Sequence, residues 1–376
     1  MLDRLSLSQA RHIAAHAQLH STLVPDGHPD AYVHLLDKLG CIQLDTISAV
    51  KRAHELTMLS RGASAEHVAQ SLHQRPEAVA FEFTAHAMSL VPISMWPYMG
   101  TRRKLYRTDD YGPSTPDARA LADVRAVQKA QGFATVSDFE PAARMKDPNN
   151  GWGTPSDHKR ALEWQLWTGE VACPYRDGFK RVYVPVEDAV PSQYRWDAEV
   201  EEGQDHMVSR AIKALGVATT KDIADYFRMK QAATKATLQR LGLPRVEVDG
   251  WTDDTWIDPD ITEVPEVDAD HAVAVSLFDP LVWYRDRLKR LHGHDWKIEI
   301  YVPQAKRTFG YYCLPVYVGA EVPGRLALRR VNGDLVVEAA EWDHSRADEK
   351  HLHAAVDTVS QWVQGETVWD APIRAL

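Results

Sequence analysis

Residues 41–47 read Cys-Ile-Gln-Leu-Asp-Thr-Ile. The alternation predicts a buried strand, with Ile42, Leu44 and Thr46 on one face and Gln43, Asp45 and Ile47 on the other. An amide and a carboxylate would then leave a stiff apolar element side by side. That suits a catalytic pair. On pattern alone the ordinary reading is a half-exposed strand whose polar face meets water.

Working outward, Ser6 and Gln9 form a capping box that starts a helix with Ala10, Ile13, Ala14 and Ala17 on one face. Pro25, Gly27 and Pro29 break the chain, and a second helix over 31–39 stops at Gly40. After the strand, 48–60 reads as helix, with Lys51, Arg52 and Arg61 just beyond the motif. Ser64 caps a helix through His73, and 78–84 with 86–91 alternate like the arms of a hairpin. Helices followed by a hairpin make a winged helix.

The pattern returns twice. Residues 111–116 read as a linker. Helices over 117–131, near Ser137 and over 156–167, with a break at 148–153, precede a hairpin turning at Asp177-Gly178. Its tip carries Arg176, Lys180 and Arg181. Helices over 207–215, 219–227 and 232–241 then lead to a wing built from 246–249 and 256–258. From Val273 the pattern is strand: 298–302, 309–318, 325–330 and 335–340, with a closing helix over 351–364. The expected fold is α+β, three tandem winged-helix (helix-turn-helix) units followed by a C-terminal β-barrel. The expected domains are 1–112, 113–200, 201–265 and 266–376.

A chain of 376 residues is long for one core. No stretch is apolar enough to span a membrane, and the N-terminus lacks a secretory pattern, so a cytoplasmic location is expected. The three cysteines, Cys41, Cys173 and Cys313, are far apart in apolar settings and suggest neither disulfide nor zinc site. Zinc-protease, phosphate-loop and dinucleotide signatures are absent. The net charge of −10 argues against DNA until it is located: residues 247–270 hold ten acids and no Lys or Arg. Basic residues cluster elsewhere, at 102–107, 285–290, Lys306-Arg307 and Arg329-Arg330. Phosphate binding follows local potential rather than total charge.

Three blocks in order carry a resemblance: Gln43-Leu44-Asp45-Thr46-Ile47, Ala85-His86-Ala87-Met88-Ser89, and 277–316 with Leu277-Phe278-Asp279-Pro280, Ile298-Glu299-Ile300-Tyr301-Val302-Pro303, Lys306-Arg307 and Gly310-Tyr311-Tyr312. Together they resemble the YcaQ-like (AlkZ/AlkX-type) winged-helix DNA glycosylases, in the Gln-x-Asp subgroup. The resemblance implies a monofunctional DNA N-glycosylase that removes N7-alkylated purines and unhooks interstrand crosslinks in base excision repair. It implies Asp45 and Gln43 as catalytic residues and His86 in a supporting or DNA-facing role. Lys51, Arg52, Arg61, Lys306, Arg307 and Arg329 are the expected DNA contacts. The partner would be double-stranded DNA carrying alkylated or crosslinked purines, bound by a monomer with no metal or organic cofactor. The alternative is a non-enzymatic winged-helix regulator, which would need neither the Gln-Asp pair nor a barrel.

Overall fold

The computed structural model describes residues 2–24, 30–72, 78–108, 114–139 and 155–376. The breaks expected at 25–29 and 148–153, and the first half of the 111–116 linker, lie outside them. The chain folds as two compact units: Met1–Val68 with Ala85–Met88 and Met207–Leu376, and Ala69–Thr84 with Ser89–His206. No described helix is long and apolar enough to cross a membrane.

In the first unit the helix Leu7–Gln18 begins at the capping box: Gln9 N–H donates to Ser6 Oγ at 3.2 Å and Ser6 N–H to Gln9 Oε1 at 2.8 Å. Ala10, Ile13 and Ala14 are buried, as the helical spacing predicts. The helix Ala31–Leu39 ends at Gly40, where φ is +72°; a Cβ there would approach the Phe227 ring to 3.3 Å. Glycine relieves both constraints at once.

The expected helix over 48–60 is shorter, Ala53–Leu59. Ile47, Ala49 and Val50 instead pack on the C-terminal core, and the Ala49 carbonyl accepts from Arg330 N–H at 2.8 Å. Tertiary pairing therefore outweighs helix propensity over these five residues. Helices Val200–Leu215, Thr220–Tyr226 and Gln231–Arg240 follow the expected order. The wing after them is divided. Glu247–Val248 pairs in parallel with Arg4–Leu5, while Thr255–Ile257 pairs antiparallel with Val217–Thr219. The two arms meet each other at one isolated bridge, Arg245 with Trp256.

The C-terminal part is a curled half-barrel. Ala272–Ala274, Cys313–Val318, Glu321–Val331 and Asp334–Trp342 run antiparallel in that order. Thr367–Trp369 and Ile373–Ala375 add in parallel along Asp334–Trp342. The sheet is a half-barrel where a β-barrel was expected, and the helix Lys350–Val363 packs on it. Register shifts at Val316/Val318 and Ala327/Leu328 supply local curvature. Asn332 and Gly333, both at positive φ, form the tight turn between the two longest strands. Leu314, Val316, Leu326, Val337, Trp342, Leu352, Val356 and Val359 share the sheet's apolar core. Each such buried side chain contributes about 1.5–3 kcal/mol.

The strand expected over 298–302 is absent. The Glu299 carboxylate instead accepts from Thr308 N–H at 2.8 Å, Thr308 Oγ1 at 2.6 Å, Phe309 N–H at 2.9 Å and Gly310 N–H at 3.0 Å. Those amides are the donors a ladder would have used. The following strand accordingly begins at Cys313 rather than at 309.

In the second unit, helices Ala118–Gln131 and Asp157–Thr168 pack at a shared apolar core with a hairpin. Val171–Ala172 pairs with Val184–Pro185, and Arg176–Asp177 with Lys180–Arg181 around Gly178. The tip was expected to offer three cations. Two are ion-paired: Arg176 and Arg181 both pair with buried Glu82, and Arg181 also with Glu163 at 2.7 Å, while Lys180 Nζ donates to Ser137 Oγ at 3.2 Å. Burial alone would raise the Glu82 carboxyl, but the two guanidiniums hold it below the usual range.

Candidate active site

The motif strand is only Ile42–Gln43. Leu44 N–H still donates to the Met88 carbonyl at 2.8 Å, and there the ladder ends. At Asp45 the chain turns, because Ile47 N–H donates to Asp45 Oδ1 at 2.7 Å. A carboxylate bonding its own backbone two residues on makes an Asx turn, which competes with strand continuation. The expectation that Gln43 and Asp45 share one strand face is therefore corrected: Asp45 projects from a turn. The predicted faces also exchange, since Thr46 is exposed and Ile47 packs on the half-barrel core.

Gln43 is 8% exposed, and among the described residues its side-chain amide has no hydrogen-bond partner. Asp45 is half-buried, and its Oδ2 likewise has no partner among them. A nearly buried amide without a protein partner costs about 1–3 kcal/mol unless water or a ligand meets it. Tyr312 is fully buried, its hydroxyl 3.2 Å from Ser276 Oγ. Burial pushes the Tyr312 phenol above its ordinary range, and the Asp45 charge adds to this.

His86, expected in a supporting or DNA-facing role, is buried. Its ring stacks on Trp283 at 3.9 Å and 4°. Arg228 Nη2 lies 2.9 Å from Nε2, and Nδ1 is 3.1 Å from the Asp225 carbonyl. A guanidinium can only donate, so Nε2 is the acceptor and Nδ1 carries the proton. Burial, and then the Arg228 charge, push His86 down to about 3. Arg228 also donates from Nε to the His86 carbonyl at 3.0 Å and pairs with Asp225, from a backbone at φ +49°. A left-handed non-glycine residue is strained, and here two bonds to one histidine hold it. Sequence reasoning missed Arg228 and Asp225, and it gave Glu299 and Tyr312 no role although both lay in the block carrying the resemblance. Trp283 lay in the block carrying the resemblance but received no role.

The expected DNA contacts separate by environment. Lys306 is exposed on the short turn Gln304–Lys306. Arg307 is half-buried, its Nε donating to the Val302 carbonyl at 2.9 Å and its guanidinium 4.8 Å over the Tyr311 ring. Lys51 and Arg52 are half-buried beside the motif, and Arg52 N–H donates to Glu55 at 2.6 Å as the cap of the following helix. Arg329 is exposed but bound to Glu338 at 2.5 Å and Asp370 at 3.4 Å.

Arg61 contradicts its expected role. It is fully buried, with Nη1 2.7 Å and Nη2 2.9 Å from the Asp279 oxygens. Further bonds run to the carbonyls of Gln18 and Thr57 and to Thr22 Oγ1. It joins the helix before it to the Asp279 segment and cannot reach a phosphate. Among the described residues no group of three or more His, Cys, Asp or Glu is gathered for a metal ion.

The fold has a solved counterpart. The Streptomyces sahachiroi DNA glycosylase AlkZ matches over 99% of this chain and 100% of its own, at 15% identity and a TM-score of 0.60. At that identity the likeness concerns the fold. The family described as DNA glycosylase AlkZ-like matches residues 36–362, most of the sequence. The protein thus belongs to the AlkZ-like DNA glycosylase family.

Proposed function

We propose that this DNA repair glycosylase hydrolyses the N-glycosidic bond of N7-alkylated purines in double-stranded DNA and unhooks interstrand crosslinks at the same position. One observation carries the reading: the Gln43 amide and Asp45 Oδ2, two residues apart, both lack protein partners among the described residues. Cleaving such a bond develops an oxocarbenium-like sugar. Alkylation at N7 makes the base cationic, so it leaves neutral and needs no general acid. The remaining tasks are activating water and stabilising the sugar cation. Asp45 Oδ2 accepts the water's proton and faces the developing charge, while Oδ1 is anchored by Ile47 N–H. The Gln43 amide donates and accepts, so it orients that water. The neutral His86 cradle, tied two residues before Met88, supports the strand from behind. No lysine amine is required, so the reaction is monofunctional. Winged-helix surfaces and the Lys306-Arg307 turn supply the grip on DNA.

The deciding experiment incubates the protein with duplex DNA containing a single N7-methylguanine and then adds alkali. Strand cleavage appearing only after alkali supports monofunctional excision. Intact DNA would remove this substrate assignment, and cleavage without alkali would make the enzyme a lyase.

A further inference from the structure

Tyr301 is 83% exposed, the most exposed large apolar side chain among the described residues. A single exposed tyrosine is ordinary on a protein surface. This one is mounted on a braced loop. Ile300 beside it in the chain and Phe309 on the returning arm are both buried in the half-barrel core. Glu299 binds the returning arm with four hydrogen bonds, two of them involving Thr308. Val302 N–H closes back on the Glu299 carbonyl at 2.9 Å, and Arg307 Nε holds the Val302 carbonyl at 2.9 Å. From 300 to 312 the chain has no acidic residue, although the protein carries a net charge of −10. The same segment presents Lys306 and Arg307 and runs directly into Tyr312, whose phenol feels the charge of Asp45.

We infer that this loop is a DNA-reading tip on which Tyr301 stacks against a base of the duplex at the lesion, while Lys306 and Arg307 hold flanking phosphates. The inference deepens, and rests on, the reading of the chain as an enzyme acting on duplex DNA. An aromatic ring stacks on any base face, and such contacts are sequence-tolerant. Inserted side chains of this kind stabilise locally unstacked steps in duplex DNA. Bracing the loop beforehand removes the ordering cost that a flexible loop would carry on binding. Tyr301 acts as a positioning residue: it fixes the register of the damaged step and takes no part in bond cleavage.

The test uses the full chain and two duplexes, one undamaged and one with a tetrahydrofuran abasic site opposite 2-aminopurine. Tyr301→Ala is expected to weaken binding to the abasic duplex by roughly 5- to 150-fold, the range that alanine gives for base–aromatic stacking. It should also abolish the 2-aminopurine fluorescence change on binding. The salt dependence of affinity should stay as in wild type, because no phosphate contact is removed. Tyr301→Phe and Tyr301→Trp should retain affinity and fluorescence change. Wild-type affinity in Tyr301→Ala overturns the inference, as does a Tyr301→Phe defect equal to that of alanine, or failure of the wild type to bind either duplex. Base release is not read in this experiment. Loss of binding in Tyr301→Ala beside an inactive N7-methylguanine assay would keep the tip and discard the substrate.

Discussion

Asp45 and Glu299 invite comparison. Both sit in stretches whose alternation predicts strands, and at both a carboxylate captures backbone N–H groups and ends the regular pattern. They differ in saturation. Asp45 accepts one bond, through Oδ1, and keeps Oδ2 without a protein partner among the described residues. Glu299 accepts four bonds through both oxygens and is buried. Burial alone would raise the Glu299 carboxyl, but the Thr308 hydroxyl and the three amides hold it down at about 2. One carboxylate is anchored and left with capacity; the other is consumed by the loop it builds. A motif residue is thus available for chemistry only to the degree that local structure leaves its lone pairs unclaimed.

The largest expected effect is at Asp45. Asp45→Asn should keep folding and DNA affinity while excision falls about 10²–10⁴-fold, the range of a general base. Single-turnover release of N7-methylguanine measures it, and full activity would end the assigned mechanism. Gln43→Ala should lose less, and a greater loss than at Asp45 would reverse the two roles.

Arg61 comes next, as a structural cation mistaken for a binding one. Arg61→Ala leaves Asp279 buried and unpaired, which costs about 3–5 kcal/mol of stability. Urea denaturation should register that fall. A fully stable variant with weakened DNA binding would restore the DNA-contact reading.

Glu299→Gln should be smaller, about 1–3 kcal/mol, because an amide places a donor against N–H donors. It also has a pH signature. The folded carboxyl near 2 lies below its ordinary value of 4.5. Its stabilisation is therefore complete above about pH 4.5 and is lost as pH falls toward 2. Wild type should lose stability across that window, and the variant should lose less. Parallel acid limbs for the two proteins would show that the four bonds do not favour the ionised form.

The smallest effect separates the cations. Lys306→Ala with Arg307→Ala should flatten the slope of log affinity against log salt by roughly 2, at about 0.9 per contact. Arg329→Ala should leave the slope alone, since Glu338 and Asp370 already neutralise it. Equal slopes in all three proteins would make the loop pair ordinary solvated surface.

Much was legible in the chain itself. Hydrophobic periodicity, the Ser6–Gln9 box, Gly40 as a helix stop, and the turn at Asp177-Gly178 are local signals, and the structure forms each where expected. The Gln43-Leu44-Asp45 motif and its companion blocks pointed to the family before any coordinates. Local alternation could not tell a ladder from a carboxylate that takes the ladder's donors, so the strands at 44–47 and 298–302 were misread. Nor could a list of cations say which ones carry free charge. Arg61, Arg176 and Arg329 are neutralised by Asp279, Glu82 and Glu338. Arg61 and Asp279 lie 218 positions apart and Arg176 and Glu82 lie 94 apart, so their pairing is decided by packing. Local residue patterns set most of the elements and the chemistry on offer. The tertiary structure decided which polar groups remain unclaimed, because that depends on partners brought together only by folding.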